Sequence, residues 1–284
     1  MSDLSWDDFS LRGLFTAVIF ITLLTIAIRA LFSKRDNPVE RLKREADEGD
    51  LWAQSDLGRR YMAGDGVEKD VATALDCWRK AAEYGYAYAQ YCLGWCYRVG
   101  EGVDKDLAIA VEWYRKAAEQ DDADAQTDLG WCYRDGEGVE QDFTQAVEWY
   151  RKAAEQGQVN AQYNLGRCYY EGEGVEKDLA KAFEWWQKAA EQDNADAQYC
   201  LGMCYYEGEG VEKDLAMAIE WCEKAAEQGQ VNAQYSLGCH YNSGEGVEKD
   251  IAQALEWLQK AADQGDAEAK DLIAKIRAEG NQEK

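Results

Sequence analysis

The residues with the greatest chemical potential in this sequence are nine cysteines and a single histidine. Four of the cysteines and the histidine share one register, spaced 36 residues apart: Cys96, Cys132, Cys168, Cys204 and His240. Tetrahedral zinc needs four ligands around one point, and a disulfide needs Cα atoms within about 7 Å. Residues that occur once per repeat instead form a row, here called a ladder, in which neighbouring members lie about 10 Å apart because packed helices have that spacing. The spacing therefore favours small buried core residues, and we expect no metal or other cofactor.

Nucleophilic or phosphate chemistry is also disfavoured. Cys92 and Cys96 are i, i+4 neighbours, which supply at most two ligands from one helix. His240 directly follows Cys239, so the two side chains point to different faces of a helix. The sequence has no Walker loop, H-E-x-x-H or G-x-S-x-G motif. We therefore predict that the protein is not an enzyme, and the unpaired cysteines favour a reducing compartment.

The cysteine ladder is part of a strict 36-residue period. Each period contains a leucine, a glycine directly after it and a tyrosine three positions further on. The leucines are Leu57, Leu93, Leu129, Leu165, Leu201 and Leu237. A fixed period of 20–50 residues is typical of a solenoid or a repeat array.

Each period predicts two helices. In the second period, Ala89, Leu93 and Tyr97 lie on one helical face, and Gly-x-Gly then interrupts the helix. Asp106 is a natural N-cap for a second helix. The predicted core positions of that helix are Ala110, Trp113, Ala117 and Ala118. We expect the mid-helix glycines to allow close packing, because glycine there otherwise costs roughly 1 kcal/mol.

The repeating string A-x-A-Q-x-x-L-G-x-x-Y-x-x-G-x-G-V-x-x-D-x-x-x-A-x-x-W-x-x-K-A-A resembles the Sel-one-like repeat, a relative of the tetratricopeptide repeat. The resemblance covers residues 38 to 278. It implies an all-α, right-handed superhelical solenoid of about six helix pairs with half-repeat caps, whose first helices line the concave side. It also implies an adaptor or scaffold role. The predicted organisation is a tail (1–12), a transmembrane helix (13–32), a basic juxtamembrane segment with a half-repeat (33–49), six repeats (50–265) and a capping helix with a tail (266–284).

The N-terminal segment predicts a membrane anchor. Leu14 to Phe32 contains one charge, Arg29, and as a helix it would span roughly 28 Å. Basic residues cluster after it and acidic residues before it, which places the repeats in the cytoplasm and the protein in the inner membrane as a single-pass chain. The alternative is a signal peptide cleaved after Thr25-Ile26-Ala27, which would make the protein periplasmic or secreted, although its N-terminal region is acidic rather than basic.

The charge limits the choice of partners. The formal net charge is −24, so phosphate binding along the repeats is disfavoured and no nucleic-acid partner is expected. The acidic surface serves solubility or favours a basic partner, and the sequence leaves both interpretations open.

A partner-binding groove is predicted from the tetratricopeptide-like geometry. The positions that would face it lie two residues before the leucine, two after it, and directly after the tyrosine. They are Tyr91, Trp95, Arg98, Thr127, Trp131, Arg134, Tyr163, Arg167, Tyr170, Tyr199, Met203 and Tyr206. Tryptophan, tyrosine and arginine are enriched at binding hot spots, although the same aromatics could pack between repeats. The sequence thus predicts a membrane-anchored scaffold that binds a protein or peptide, with an exported repeat protein that binds envelope or host partners as the alternative.

Overall fold

The computed structural model describes residues 37–282, and within this range the chain forms fourteen α-helices and no strand. The helices are α1 Pro38–Asp47, α2 Leu51–Ala63, α3 Val71–Glu83, α4 Ala87–Val99, α5 Leu107–Ala118, α6 Ala123–Asp135, α7 Phe143–Glu155, α8 Val159–Glu171, α9 Leu179–Ala190, α10 Ala195–Glu207, α11 Leu215–Glu227, α12 Val231–Ser243, α13 Ile251–Asp263 and α14 Ala267–Gln282. The even-numbered helices from α2 to α12 begin the repeats and are called A helices. The odd-numbered helices from α3 to α13 complete them and are called B helices. The predicted all-α repeat class is confirmed.

The helices form two compact units. Unit 1 holds α1 to α4 and unit 2 holds α5 to α14, with the division between Lys105 and Asp106. Inside each unit, every helix packs against the helices that precede and follow it along the chain. Each unit is therefore a stack of antiparallel helix pairs.

The predicted helix ends are confirmed. Asp106 accepts a hydrogen bond from the backbone N–H of Ile109 at 3.0 Å, and the equivalent aspartate caps every B helix. Asn37 caps α1 in the same way, with Pro38 as its first residue. Gly172 ends α8 in the left-handed conformation, at φ 77°. Two residues later, a Cβ on Gly174 would collide with the carbonyl of Phe143, so this turn requires glycine.

In five repeats, the glycine of the A helix lies directly against a larger side chain of its B helix: Trp78, Tyr150, Trp186, Cys222 or Leu258. The repeat leucines from Leu93 to Leu237 are fully buried, and so are alanine pairs such as Ala117 and Ala118. The predicted core position of Trp113 is wrong, because Trp113 is half-buried. The residue after it, Tyr114, is fully buried instead.

The repeating tryptophan instead forms a pair with lysine on the surface of the B helix. Lys116 Nζ lies 4.1 Å from the centroid of the Trp113 ring, one helical turn away. This cation–π arrangement recurs in the four following repeats, at Trp149–Lys152, Trp185–Lys188, Trp221–Lys224 and Trp257–Lys260. The W-x-x-K part of the repeat is therefore a surface feature, since the ring needs one open face for the lysine.

A ladder of buried glutamines connects successive B helices. Gln126 Nε2 donates to the carbonyl of Ala118 at 3.0 Å, and Gln126 Oε1 accepts from Gln156 Nε2 at 2.8 Å. The same arrangement surrounds Gln162, Gln198 and Gln234. In unit 1 the ladder is incomplete, because Tyr84 occupies the register of Gln156 and is 77% exposed. Among the described residues, Oε1 of Gln54 consequently has no hydrogen-bond partner.

The predicted tail (1–12), transmembrane helix (13–32) and the first part of the juxtamembrane segment lie outside the described residues. Between residues 37 and 282, no helix combines the length and apolar character needed to cross a bilayer.

Candidate functional site

The predicted groove positions all lie on A helices, and all but one share the same level of burial. Eleven of the twelve are half-buried, whereas the leucines and glycines beside them in the sequence are buried. The exception is Thr127, which is 6% exposed and donates from Oγ1 to the carbonyl of Ala123 at 2.8 Å. Thr127 is thus engaged inside its own helix and offers little to a partner. Tyr91, Trp95 and Arg98 lie in unit 1, and the others in unit 2.

Five of these positions come together in unit 2 around a pocket of about 230 Å³. The A helix of the fourth repeat, α8, contributes Tyr163, Arg167 and Tyr170, and the A helix of the fifth repeat, α10, contributes Tyr199 and Met203. The remaining lining residues are Glu171, Trp186, Cys200, Cys204 and Glu209. The structure thus brings five of the predicted binding residues together at one pocket.

The indole of Trp186 forms a buried wall of this pocket. It is 4% exposed, and its Nε1 donates to the backbone carbonyl of Tyr163 at 3.2 Å. Its ring centroid lies 5.3 Å from that of Tyr170, with the planes tilted by 42°. Because the indole N–H is already bonded within the protein, Trp186 presents only apolar surface to the pocket.

Charges lie at the edge of the pocket and are paired. Arg167 Nη2 lies 3.3 Å from Glu171 Oε1, one helical turn away, and both side chains are partly exposed. Burial, together with a hydrogen bond to Glu209, raises the pKa of Tyr170. Lys177 Nζ lies 5.1 Å from the centre of the Tyr170 ring. The pocket therefore combines an apolar interior with an edge whose arginine is matched by a carboxylate.

The cysteines of the pocket are protonated thiols. Burial raises the pKa of both Cys200 and Cys204 to about 12. Cys204 belongs to the predicted series of cysteines spaced 36 residues apart, whose four members are all buried. A protonated buried thiol is neither a nucleophile nor a metal ligand. Within residues 37–282, no group of three histidine, cysteine, aspartate or glutamate side chains could hold a metal ion.

The same surface continues into the sixth repeat, where a second pocket of about 460 Å³ is lined by Met203, Tyr206, Tyr235, Cys239 and His240, among others. His240 Nδ1 lies 2.9 Å from the carbonyl oxygen of Glu245, and the His240 ring meets Tyr206 edge-on at 5.3 Å. Tyr235 was not among the predicted residues, although it occupies the same register as Tyr199. Extending the pattern by one repeat would have identified it.

Unit 1 carries a comparable pocket of about 300 Å³. It is lined by Tyr91 and Trp95 from the prediction, and by Arg59, Trp78 and Tyr88, among others. Arg98 does not line it and is half-buried nearby on α4. Both units thus offer aromatic pockets large enough for a side chain.

Comparisons with known proteins agree with the repeat pattern. A family model described as "Sel1 repeat" matches residues 53–86, 87–122, 123–158, 159–194, 195–230 and 231–266. Among solved structures, a protective antigen of uropathogenic Escherichia coli strains that displays an SLR fold is 41% identical, with a TM-score of 0.80 over 86% of this chain. The chain spans about half, 52%, of that protein's length. A Sel1 repeat protein from Oxalobacter formigenes is 38% identical over 84% of this chain and 70% of its own, with a TM-score of 0.73. Among curated proteins, none matches this chain.

Proposed function

The chain belongs to the Sel1 repeat family, and we propose that it is a non-enzymatic scaffold that binds a protein or peptide along the face formed by its A helices. The observation that carries this proposal is the convergence of Tyr163, Arg167, Tyr170, Tyr199 and Met203 on one pocket. The residue types support it, because tyrosine, tryptophan and arginine dominate binding hot spots.

The charge supports a partner with basic segments. The chain has 55 acidic and 31 basic residues, and such a surface steers positively charged partners towards it. The aromatic pockets would then supply the apolar contact that holds the partner after encounter. A basic polypeptide with apolar side chains fits both properties.

We further propose that residues 14–32 anchor the chain in the inner membrane with the repeats in the cytoplasm. The apolar length of this segment and the basic residues that follow it support this topology. The second candidate is an exported repeat protein. It is favoured by the relative from uropathogenic Escherichia coli, which is described as a protective antigen.

The test is the recovery of partners from native membranes with the tagged full-length chain. We expect the double variant Tyr163→Ala/Tyr199→Ala to lose the partners that the parent recovers. Tyr241→Ala is the matched control, since Tyr241 is also a half-buried tyrosine of an A helix but donates to Glu223 of the preceding B helix. If the pocket variant retains helicity and still recovers every partner, binding lies elsewhere and the proposal is wrong.

A further inference from the structure

The pocket of unit 1 and the smaller pocket of unit 2 are built from the same positions of the repeat. Seven of the eight residues that line the unit 1 pocket correspond to lining residues of the unit 2 pocket when the sequence is shifted by three repeats. The corresponding pairs are Arg59 with Arg167, Met62 with Tyr170, Ala63 with Glu171, Trp78 with Trp186, Tyr91 with Tyr199, Cys92 with Cys200, and Trp95 with Met203. Tyr88 in unit 1 and Tyr163, Cys204 and Glu209 in unit 2 have no counterpart. In the four pairs from Arg59, Trp78, Tyr91 and Cys92, the residue type is identical. Each unit therefore contains one version of the same site.

The buried tryptophan is held in the same way in both pockets. Trp78 Nε1 donates to the carbonyl of Ser55 at 3.0 Å, as Trp186 Nε1 does to that of Tyr163 at 3.2 Å. A Cβ on Gly58 or on Gly166 would lie 2.6 Å from the adjacent indole, so both tryptophans need a glycine beneath them. The other repeats carry tyrosine, cysteine or leucine at this position: Tyr114, Tyr150, Cys222 and Leu258. Only the first and fourth repeats have tryptophan there.

Both pockets have apolar interiors of similar size. The volumes are about 300 Å³ in unit 1 and about 230 Å³ in unit 2. These values lie at or below the lower limit of roughly 300 Å³ for sites of drug-sized ligands, so each pocket suits one side chain. The tryptophan N–H groups are bonded internally, and Cys92 and Cys200 contribute sulfur atoms. The interior of each pocket therefore presents aromatic ring faces and sulfur atoms to a bound side chain.

The arginine at each pocket is already paired with a carboxylate of its own helix. Arg59 Nη2 lies 2.7 Å from Asp56 Oδ1, and Arg167 Nη2 lies 3.3 Å from Glu171 Oε1. With its charge matched, each guanidinium has little to gain from a charged ligand group but can still stack on an aromatic ring. An uncharged aromatic side chain of a partner could pack on the rings of the interior and also stack on the arginine at the edge. Contacts between aromatic rings stabilise binding by about 0.5–1.5 kcal/mol beyond the effect of the buried area.

We propose that each pocket accepts one aromatic side chain of a basic polypeptide, so that one chain offers two independent and equivalent anchor sites. The proposal rests on the scaffold function proposed above and specifies the chemistry of the partner. The basic character follows from the formal net charge of −24, which favours positive residues beside the aromatic anchor.

The test uses the full-length chain labelled with 5-fluorotryptophan and observed by 19F NMR, with Trp78→Phe and Trp186→Phe for assignment. The probe is the peptide acetyl-Lys-Phe-Lys-amide, and acetyl-Lys-Gln-Lys-amide is the control of equal charge. We expect the signals of Trp78 and Trp186 to shift with midpoints that agree within about threefold, and the glutamine peptide to bind at least about tenfold more weakly. Trp113, which lies under Lys116 on a B helix, should not respond.

Two variants make each pocket the control for the other. Tyr199→Ser should abolish the response of Trp186 and leave that of Trp78, and Tyr91→Ser should do the reverse. Loss of both responses in either variant would contradict independent sites. Equal shifts with the two peptides would show that charge alone drives binding, and a response from only one tryptophan would show that the sites differ. Either result overturns the proposal.

The outcome separates this inference from the scaffold function. If neither tryptophan responds while partner recovery still depends on Tyr163 and Tyr199, the aromatic specificity is wrong and the scaffold function stands. If both tryptophans respond but the Tyr163→Ala/Tyr199→Ala variant still recovers every partner, the pockets bind aromatic side chains and the proposed binding face is wrong.

Discussion

Gly166 lies directly against the indole of Trp186, so that a Cβ at Gly166 would fall 2.6 Å from Trp186 Cδ1. The glycine is in the middle of α8, where it weakens the helix by roughly 1 kcal/mol relative to alanine. That cost is offset by the close approach of a large buried ring. The same ring forms a buried wall of the candidate site, so the contact that packs the repeat also shapes the pocket.

We expect Gly166→Ala to lower the free energy of unfolding by about 1–3 kcal/mol, because overpacking against a buried ring outweighs the gain in helix propensity. Denaturant unfolding of the parent and the variant measures this difference. The matched background is Trp186→Ala, in which the added methyl has space. There Gly166→Ala should be neutral or stabilising, and an equal loss in both backgrounds would contradict the proposed contact.

The helix pairs, their caps and the buried leucines followed directly from the period, because each of these features depends on local sequence. The prediction that Trp113 belongs to the core was wrong, because Trp113 is half-buried and the adjacent Tyr114 is fully buried. The periodicity alone could not decide which of two adjacent aromatic residues enters the core. The lysine three residues later, which covers Trp113, was the available signal.

The glutamine ladder and the matched pockets were not predicted, for different reasons. From the sequence, a glutamine such as Gln126 is expected on the surface. Its burial depends on hydrogen bonds to two other helices, which the local sequence does not reveal. The pockets depend on positions that vary between neighbouring repeats. They become visible only when repeats one and four are aligned, where Trp78 matches Trp186 and Tyr91 matches Tyr199.

The incomplete ladder in unit 1 predicts a stabilising substitution. Tyr84 occupies the register from which Gln156 donates to Gln126, and its backbone, at φ −86° and ψ 8°, is close to that of Gln156 at −80° and −3°. Tyr84→Gln should therefore supply a donor to Oε1 of Gln54 and raise the free energy of unfolding by about 0.5–1.5 kcal/mol. Thermal unfolding measures the gain. Tyr84→Leu, which removes the ring without adding a donor, should show no such gain.

The buried thiols predict a loss of stability at alkaline pH. Burial raises the pKa of Cys204 to about 12, whereas an unfolded thiol ionises near pH ~8.5. The contribution of the thiol to the free energy of unfolding is fully present below the pKa of the unfolded state. As the pH rises from that value towards the pKa of the folded state, this contribution is lost by about 1.4 kcal/mol per pH unit. Cys204→Ala should make the slope of unfolding free energy against pH shallower between pH ~9 and ~11. An unchanged slope would show that this thiol ionises equally in both states.

The proposed topology predicts protection of the repeats. The chain should remain in the membrane fraction after an alkaline wash, and protease added to cells without an outer membrane should not digest the repeats. Moving the basic cluster that includes Lys34, Arg35 and Arg41 to the other side of residues 14–32 should weaken or invert this topology. Digestion of the repeats in the parent chain would support the exported alternative instead.

The most direct test of the binding face is site-specific photocrosslinking in native membranes. A benzophenone side chain replaces Met203, which lines the two pockets of unit 2 described above, or Trp221, which lies under Lys224 on a B helix. Both positions are half-buried, so exposure alone does not favour either. We predict a covalent partner adduct from position 203 and none from position 221. Adducts of equal yield from both positions, or an adduct from position 221 alone, would contradict binding along the A helices.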